Sequence, residues 1–238
     1  MQNTIKLKIK TLSNLFIGGE PVSFEIGGID QQTTVDQEGF PCIRASSLKG
    51  ALRAVVQGDY SNMAERISQL YAAYLKKERE TNWERIQELV QEGEALERIK
   101  KRYLEVDEGL SPDYLFGIKG FNNTPKLLFS DLLLCNEFRD KKTCFSIDMK
   151  NSIDTNGDAP ISNPRTYKTA RNGLVFEGEI RLYKIELLGE KAKELCKRYI
   201  IYNLMKFNNG IYRLGNSKSR GYGKVEMIIE NEGGELKI

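Results

Sequence analysis

Ser219-Arg220-Gly221-Tyr222-Gly223-Lys224 sets two cations and a phenol among glycines, between a strongly helical segment and a closing strand. Glycines in such a turn can take positive φ and admit another backbone, while Arg220, Lys224 and the nearby Lys218 supply the charge a phosphate chain requires. A second group, Ser46-Ser47-Leu48-Lys49-Gly50-Ala51-Leu52-Arg53, opens a helix. Helix starts present free N–H donors and the positive end of the dipole, so Ser46, Ser47 and Lys49 suit an anion there, with Arg53 one turn on. Each group also fits a plainer structure: a surface turn for the first, a capping sequence for the second. Together they favour a nucleic-acid backbone over a mononucleotide, because neither G-x-x-x-x-G-K-[ST] nor a strand-linked G-x-G-x-x-G occurs.

The chain contains no histidine. That removes His-assisted serine and cysteine hydrolases, His-based ribonucleases, metal-His nucleases and H-E-x-x-H peptidases. Chemistry here must rest on carboxylates, lysines, hydroxyls or a hard metal ion bound through oxygen, Mg²⁺ or Mn²⁺ rather than zinc. Cys42, Cys135, Cys144 and Cys196 are scattered, form no C-x-x-C pair and read as buried free thiols. A length of 238 residues with 40% apolar content allows one large domain or two small ones around a real core. No apolar run approaches the roughly 18 residues of a membrane span, and Met1 leads straight into a strand pattern, so a soluble cytoplasmic protein without a membrane partner is expected. The net charge of +3 is unevenly spread: Asp59–Glu108 holds nine cations and twelve anions, leaving 27 cations against 21 anions elsewhere. The basic character belongs to the rest of the fold and is compatible with a nucleic-acid surface there.

These groups need elements to carry them. Thr4–Leu12 alternates with Ile5, Leu7 and Ile9 on one face, which predicts a half-buried strand. From Gly18 to Pro41 the chain reads as a long ordered loop, after which Ser46 or Ser47 is expected to cap a helix from Leu48 to Val56. Helical spacing runs from about Tyr60 to Glu108 (Met63, Ile67, Leu70, Tyr71, Tyr74; Trp83, Ile86, Val90; Leu96, Ile99, Tyr103), and Gly93 divides it into two or three amphipathic helices. Lys126–Cys135 and Gly173–Leu187 read as strands, Gly189–Phe207 as a helix and Val225–Ile229 as a last strand. Between them Asp148–Asn172 is polar, with turn residues at Asn156-Gly157-Asp158 and Asn163-Pro164. The order strand, helix, strand, strand, helix, strand is that of the α+β ferredoxin-like fold, βαββαβ, with long additions in its connections. In that order the first and last strands are not expected to be neighbours.

Four motifs, Gly27-Gly28-Ile29-Asp30, Ser46-Ser47-Leu48-Lys49-Gly50-x-x-Arg53, Leu115-Phe116-Gly117 and Ser219-Arg220-Gly221-Tyr222-Gly223-Lys224-Val225, stand in the order found in the RAMP superfamily. The chain resembles that superfamily over nearly its whole length, and within it the repeated backbone subunit of type III CRISPR effector complexes. The resemblance implies a single domain over residues 1–238 with a modified RNA-recognition fold, a helical insertion at 59–109 and a thumb-like insertion at 148–172. Where family members commonly carry Pro-Gly before the double serine, this chain has Arg44-Ala45.

The implied partners are CRISPR RNA, complementary target RNA, further copies of the chain that stack along the guide, and other type III subunits. On the guide side the resemblance points to Ser46, Ser47, Lys49, Arg53, Lys218, Ser219, Arg220, Tyr222 and Lys224. On the thumb, a hairpin that wedges into the guide–target duplex, it points to Lys150, Asn151, Arg165, Tyr167, Lys168 and Arg171, which combine charge with a stacking ring. Asp30 matches an aspartate that in many such subunits cleaves the target RNA, transiently holding Mg²⁺ or Mn²⁺ or orienting a 2′-hydroxyl, with Asp36 as its substitute. The resemblance therefore implies a metal-dependent endoribonuclease. Asp30 also suits an ordinary turn after Gly28, and a guide-binding subunit without cleavage remains the alternative.

Overall fold

Along the chain follow β1 (Thr4–Thr11), β2 (Gln31–Gln32), α1 (Ala45–Gln57), α2 (Asn62–Leu89), α3 (Glu94–Glu108), β3 (Lys126–Phe129), β4 (Leu133–Leu134), β5 (Phe145–Asp154), β6 (Ile161–Ala170), β7 (Val175–Tyr183), α4 (Ala192–Met205), β8 (Val225–Asn231) and β9 (Gly234–Leu236). The structure, a computed structural model, describes residues 3–18, 28–90, 93–108, 110–154, 161–231 and 234–236. Gly27 and the Asn156-Gly157-Asp158 turn lie outside them. The larger sheet has the order β3-β7-β1-β8-β9, with β4 also pairing β7, and β2, β6 and β5 form a second sheet. With the insertions set aside, β1, α1, β3, β7, α4 and β8 give an α+β chain in the expected succession.

The chain divides into two compact units, one of residues 1–4, 52–128 and 181–203, the other of residues 5–51, 129–180 and 204–238. In the second unit β1 buries Ile5, Leu7 and Ile9 and alternates them with Lys6, Lys8 and Lys10. Its antiparallel partner is β8, with Leu7 opposite Ile229, Ile9 opposite Met227 and Thr11 opposite Val225. All six are buried, so the pair shares one apolar face. The first and last predicted strands are thus neighbours, contrary to expectation, because matching two alternating apolar rows buries both.

The expected continuous strand Lys126–Cys135 is broken between β3 and β4. Leu132 leaves the ladder to exchange backbone hydrogen bonds with Ile43, at 2.9 and 3.0 Å. That detour delivers Asp131 to the start of α1, where its carboxylate accepts the Ala45 N–H at 2.7 Å and pairs with Arg44 at 2.9 Å. The helix therefore begins before the serines and is capped by a residue 86 positions away. Ser46 and Ser47 lie inside its first turn instead of capping it. Such a cap contributes about 1 kcal/mol, and here it uses both residues of the Arg44-Ala45 departure.

In the first unit Ser61 caps α2, accepting the Ala64 N–H at 3.3 Å. Ala64, Ile67, Tyr71, Tyr74 and Leu75 are buried along one face of α2. Tyr71 donates its hydroxyl to the Pro125 carbonyl at 2.8 Å and meets Tyr114 edge-on. Gly93 separates α2 from α3 at φ 152°, a value glycine alone tolerates well, so the expected helical segment is two helices. Leu115 and Phe116 are buried in a 3-10 turn, Pro112–Phe116, that ends at Gly117. The four cysteines are free and buried. Among the described residues no helix is long and apolar enough to cross a membrane.

Candidate nucleic-acid interface

The glycine-rich loop of the second unit is clamped to the segment that follows β1. Gly223 donates its N–H to the Asn14 carbonyl and its own carbonyl accepts the Leu214 N–H, both at 2.9 Å, while Asn216 donates to the Phe16 carbonyl at 2.7 Å. The Ser13 hydroxyl accepts the Lys224 N–H at 3.0 Å. At Gly223 (φ 74°) any Cβ would overlap the Leu214 carbonyl oxygen, and at Gly215 (φ 74°) the Phe16 carbonyl oxygen. Gly223 therefore serves a close approach inside the protein. Lys218–Arg220 forms a short 3-10 turn on this clamp, and Lys218, Ser219, Arg220 and Lys224 are all exposed.

The same segment braces the hairpin of β5 and β6. Leu15 and Ala170 exchange backbone bonds at 2.8 and 2.9 Å, and the Asn14 side chain accepts the Asn172 N–H at 3.1 Å. The polar stretch expected as a thumb is this hairpin, with Asp148 opposite Tyr167, Lys150 opposite Arg165 and Asn151 opposite Pro164. Directly opposed residues share a face. One face carries Asp148, Lys150, Arg165 and Tyr167, and the other carries Ile147 and Met149, which are 58% and 82% exposed.

A polar cluster joins hairpin and loop. The Asp148 carboxylate accepts from Tyr222 Oη at 2.9 Å, Thr169 Oγ1 at 2.9 Å, Ser146 Oγ at 3.1 Å and Asn14 Nδ2 at 3.1 Å. Burial alone would raise its pKa, but these donors outweigh burial and hold it below the ordinary carboxylate range. The Tyr222 phenol is pushed up to about 12 by burial and by its bond to that carboxylate. Lys150 sits over the Tyr222 ring at 3.9 Å and the Tyr167 ring at 4.3 Å, and donates to Ser217 Oγ at 3.0 Å. Phe16 closes the enclosure, edge-on to Tyr167 at 5.2 Å. Burial, then the positive charge of Arg220, lowers the Lys150 pKa, against the pull of Asp148.

The expected site residues thus fall into two groups. Arg165, Arg171, Lys218, Arg220 and Lys224 are exposed and their side chains have no charged or hydrogen-bonded partner among the described residues; Lys49, half-buried, has none either. Others are engaged within the protein. Lys150, half-buried, lies over the Tyr167 and Tyr222 rings, Lys168 lies over Phe145 at 4.1 Å, and Asn151 accepts from Ser162 at 2.9 Å. In the first unit Arg53 forms two bonds to Asp113, at 2.7 and 2.6 Å. The helix-start anion site already holds Asp131.

Asp30 is exposed at the edge of β6, where β2 pairs in parallel with Gln31 opposite Tyr167. Its N–H donates to the Thr166 carbonyl at 3.0 Å, and Oδ2 accepts the Thr166 N–H, leaving Oδ1 without a protein partner among the described residues. Asp36 is spent on its own turn: it accepts from the N–H groups of Glu38 and Phe40 at 3.0 and 2.9 Å and from Arg139 at 3.1 Å. Among the described residues no three metal-ligating side chains converge, so a Mg²⁺ or Mn²⁺ at Asp30 would take one protein carboxylate and otherwise phosphate and water oxygens, a donor set such ions accept. Asp148, Asn14, Phe16 and Ser217 were not singled out from sequence, since each gains its meaning only from partners far along the chain.

The architecture is mixed α+β with an antiparallel sheet, and the family model of the RAMP superfamily matches residues 8–226. The chain belongs to that superfamily. No curated protein matches it. It is similar in fold to a chain of a type III-B Cmr-beta complex bound to cognate target RNA, with TM-score 0.55 and 18% identity over 95% of this chain, which spans 59% of that one. A chain of the apo Cmr-beta complex superposes with TM-score 0.46 and 16% identity, over 96% of this chain and 98% of that one.

Proposed function

We propose that the chain is a guide-binding backbone subunit of a type III CRISPR effector complex, whose copies stack along the CRISPR RNA and whose Asp30 cleaves the paired target RNA. The observation that carries this reading is the placement, in one unit, of unpartnered cations around the hairpin root and an exposed carboxylate on the hairpin edge. Arg220, Lys224, Lys218 and Ser219 on the clamped loop, with Ser46, Ser47 and Lys49 on α1, are assigned to guide phosphates. Arg165 and Arg171 are assigned to the paired strand, and the exposed Ile147 and Met149 suit a wedge between stacked bases.

Asp30 Oδ1 would accept the proton of a 2′-hydroxyl as that oxygen attacks the adjacent phosphorus. The P–O5′ bond breaks, leaving a 2′,3′-cyclic phosphate, and the departing O5′ takes a proton from water to become a 5′-hydroxyl, so no histidine is needed. A hard divalent ion, when bound there, would offset the charge that develops on the phosphate. The test is the assembled complex with complementary RNA in Mg²⁺: Asp30→Ala should abolish cleavage while guide binding persists. Equal cutting by wild type and variant refutes the catalytic assignment.

A structural subunit without cleavage is the second reading, favoured by the way Asp30 completes an ordinary backbone pair with Thr166. In that case Asp30→Ala changes stability alone.

A further inference from the structure

Lys150 and Arg220 are close enough for their charges to oppose one another, yet they stand in different surroundings. Arg220 is exposed, whereas the Lys150 ammonium is ringed by Phe16, Tyr167 and Tyr222 and bonded to Ser217. The half-buried Lys150 ammonium is thus already engaged by ring faces and by Ser217, beside Asp148, whose four donors come from all three segments that meet here.

We infer that Lys150 is a positioning residue: with Asp148, Tyr222 and Ser217 it latches the root of the hairpin to the glycine-rich loop and thereby sets where β6 carries Asp30. The inference rests on the guide-binding reading for its purpose, but its geometry is internal to the protein. Asp30 is fixed to Thr166 by two backbone-directed bonds, and Thr166 adjoins Arg165, the cross-strand partner of Lys150. Movement of the hairpin root relative to the loop would therefore carry Asp30 with it, away from the cations of the loop. Tyr222 acts twice, through its ring toward Lys150 and through its hydroxyl toward Asp148.

Two measurements on the full chain test this. The first is binding of a single-stranded RNA of mixed sequence across a salt series; the second is hydrogen exchange of the amides of β5 and β6 in the free protein. Removing one phosphate ligand lowers the slope of log K against log salt by about 0.7 on a single strand. Arg220→Ala is expected to show that drop. Lys150→Met is expected to keep the wild-type slope, yet to speed exchange in the hairpin about tenfold, with Lys150→Arg restoring protection because guanidinium also sits on aromatic faces. Tyr222→Phe, which keeps the ring and loses the hydroxyl, should speed exchange by a few-fold, and carries the test should Lys150→Met fail to fold.

A slope drop of about 0.7 for Lys150→Met makes Lys150 a phosphate ligand and overturns the latch. Unchanged hairpin exchange in both Lys150→Met and Tyr222→Phe overturns it as well. A flat salt dependence of the wild-type chain would instead sink the guide-binding reading and leave the exchange data to decide the latch.

Discussion

Replacing Gly223 by alanine should damage the interface far more than the same change at Gly221, two residues earlier. Both glycines have positive φ, 94° at Gly221 and 74° at Gly223, so each alanine incurs about 1 kcal/mol of backbone strain. At Gly221 nothing lies within 4 Å of the added methyl, and strain is the whole cost. At Gly223 the methyl overlaps the Leu214 carbonyl, so the loop must shift, and the two 2.9 Å backbone bonds to Leu214 and Asn14 are the ones it loses. Adding about 1 kcal/mol for each bond gives a total near 3 kcal/mol, against about 1 for Gly221→Ala. The difference of about 2 kcal/mol is roughly thirty-fold in an unfolding equilibrium. Urea unfolding followed by circular dichroism reads it directly, and RNA binding by the folded fraction of Gly223→Ala should weaken because Arg220 and Lys224 move with the loop. Equal destabilisation by the two alanines would refute the claim that Gly223 is needed for close approach.

Acid should loosen the hairpin root and the start of α1 together. Asp148 and Asp131 are both held below the ordinary carboxylate range in the native protein, so their contribution is fully present above the unfolded value and disappears as pH falls through the native ones; Asp148→Asn and Asp131→Asn should each flatten the loss of stability below about pH 4. At neutral pH, Asp131→Ala should cost about 1 kcal/mol in urea unfolding and Asp131→Asn clearly less, because asparagine still accepts the Ala45 N–H. A double-mutant cycle on Arg53 and Asp113 should give a coupling of about 1 kcal/mol, since the geometry is bidentate although Arg53 is 44% exposed; coupling indistinguishable from zero would return Arg53 to the pool of free cations.

Strands and helices with a strong apolar period were legible in the sequence. β1 shows its buried face as Ile5, Leu7 and Ile9, and α4 shows Cys196, Tyr199, Ile200 and Leu204, because both periods follow from local geometry. The start of α1 was not, since Ser46 and Ser47 look like caps while the cap in use is Asp131, brought in by a bend that also splits a predicted strand. The cations of the interface could be found by type, yet type did not separate Arg220, which faces solvent, from Lys150, which faces three rings. That distinction depends on pairs 67 to 74 residues apart, such as Lys150 with Ser217 and Tyr222 with Asp148, and no local pattern encodes them. The adjacency of β1 and β8 belongs to the same class of long-range fact.

That adjacency also bears on when the interface can exist during synthesis. Thr11 pairs with Val225, 214 residues later, and Asn14 receives the Gly223 N–H. At about 5–20 residues per second a ribosome takes roughly 10–40 s to cover that interval. Until then β1 has no β8 beside it, and the segment that will brace the loop has nothing to brace. A nascent chain therefore cannot present the clamped Arg220 and Lys224 to RNA, and recognition is confined to molecules translated at least as far as β8.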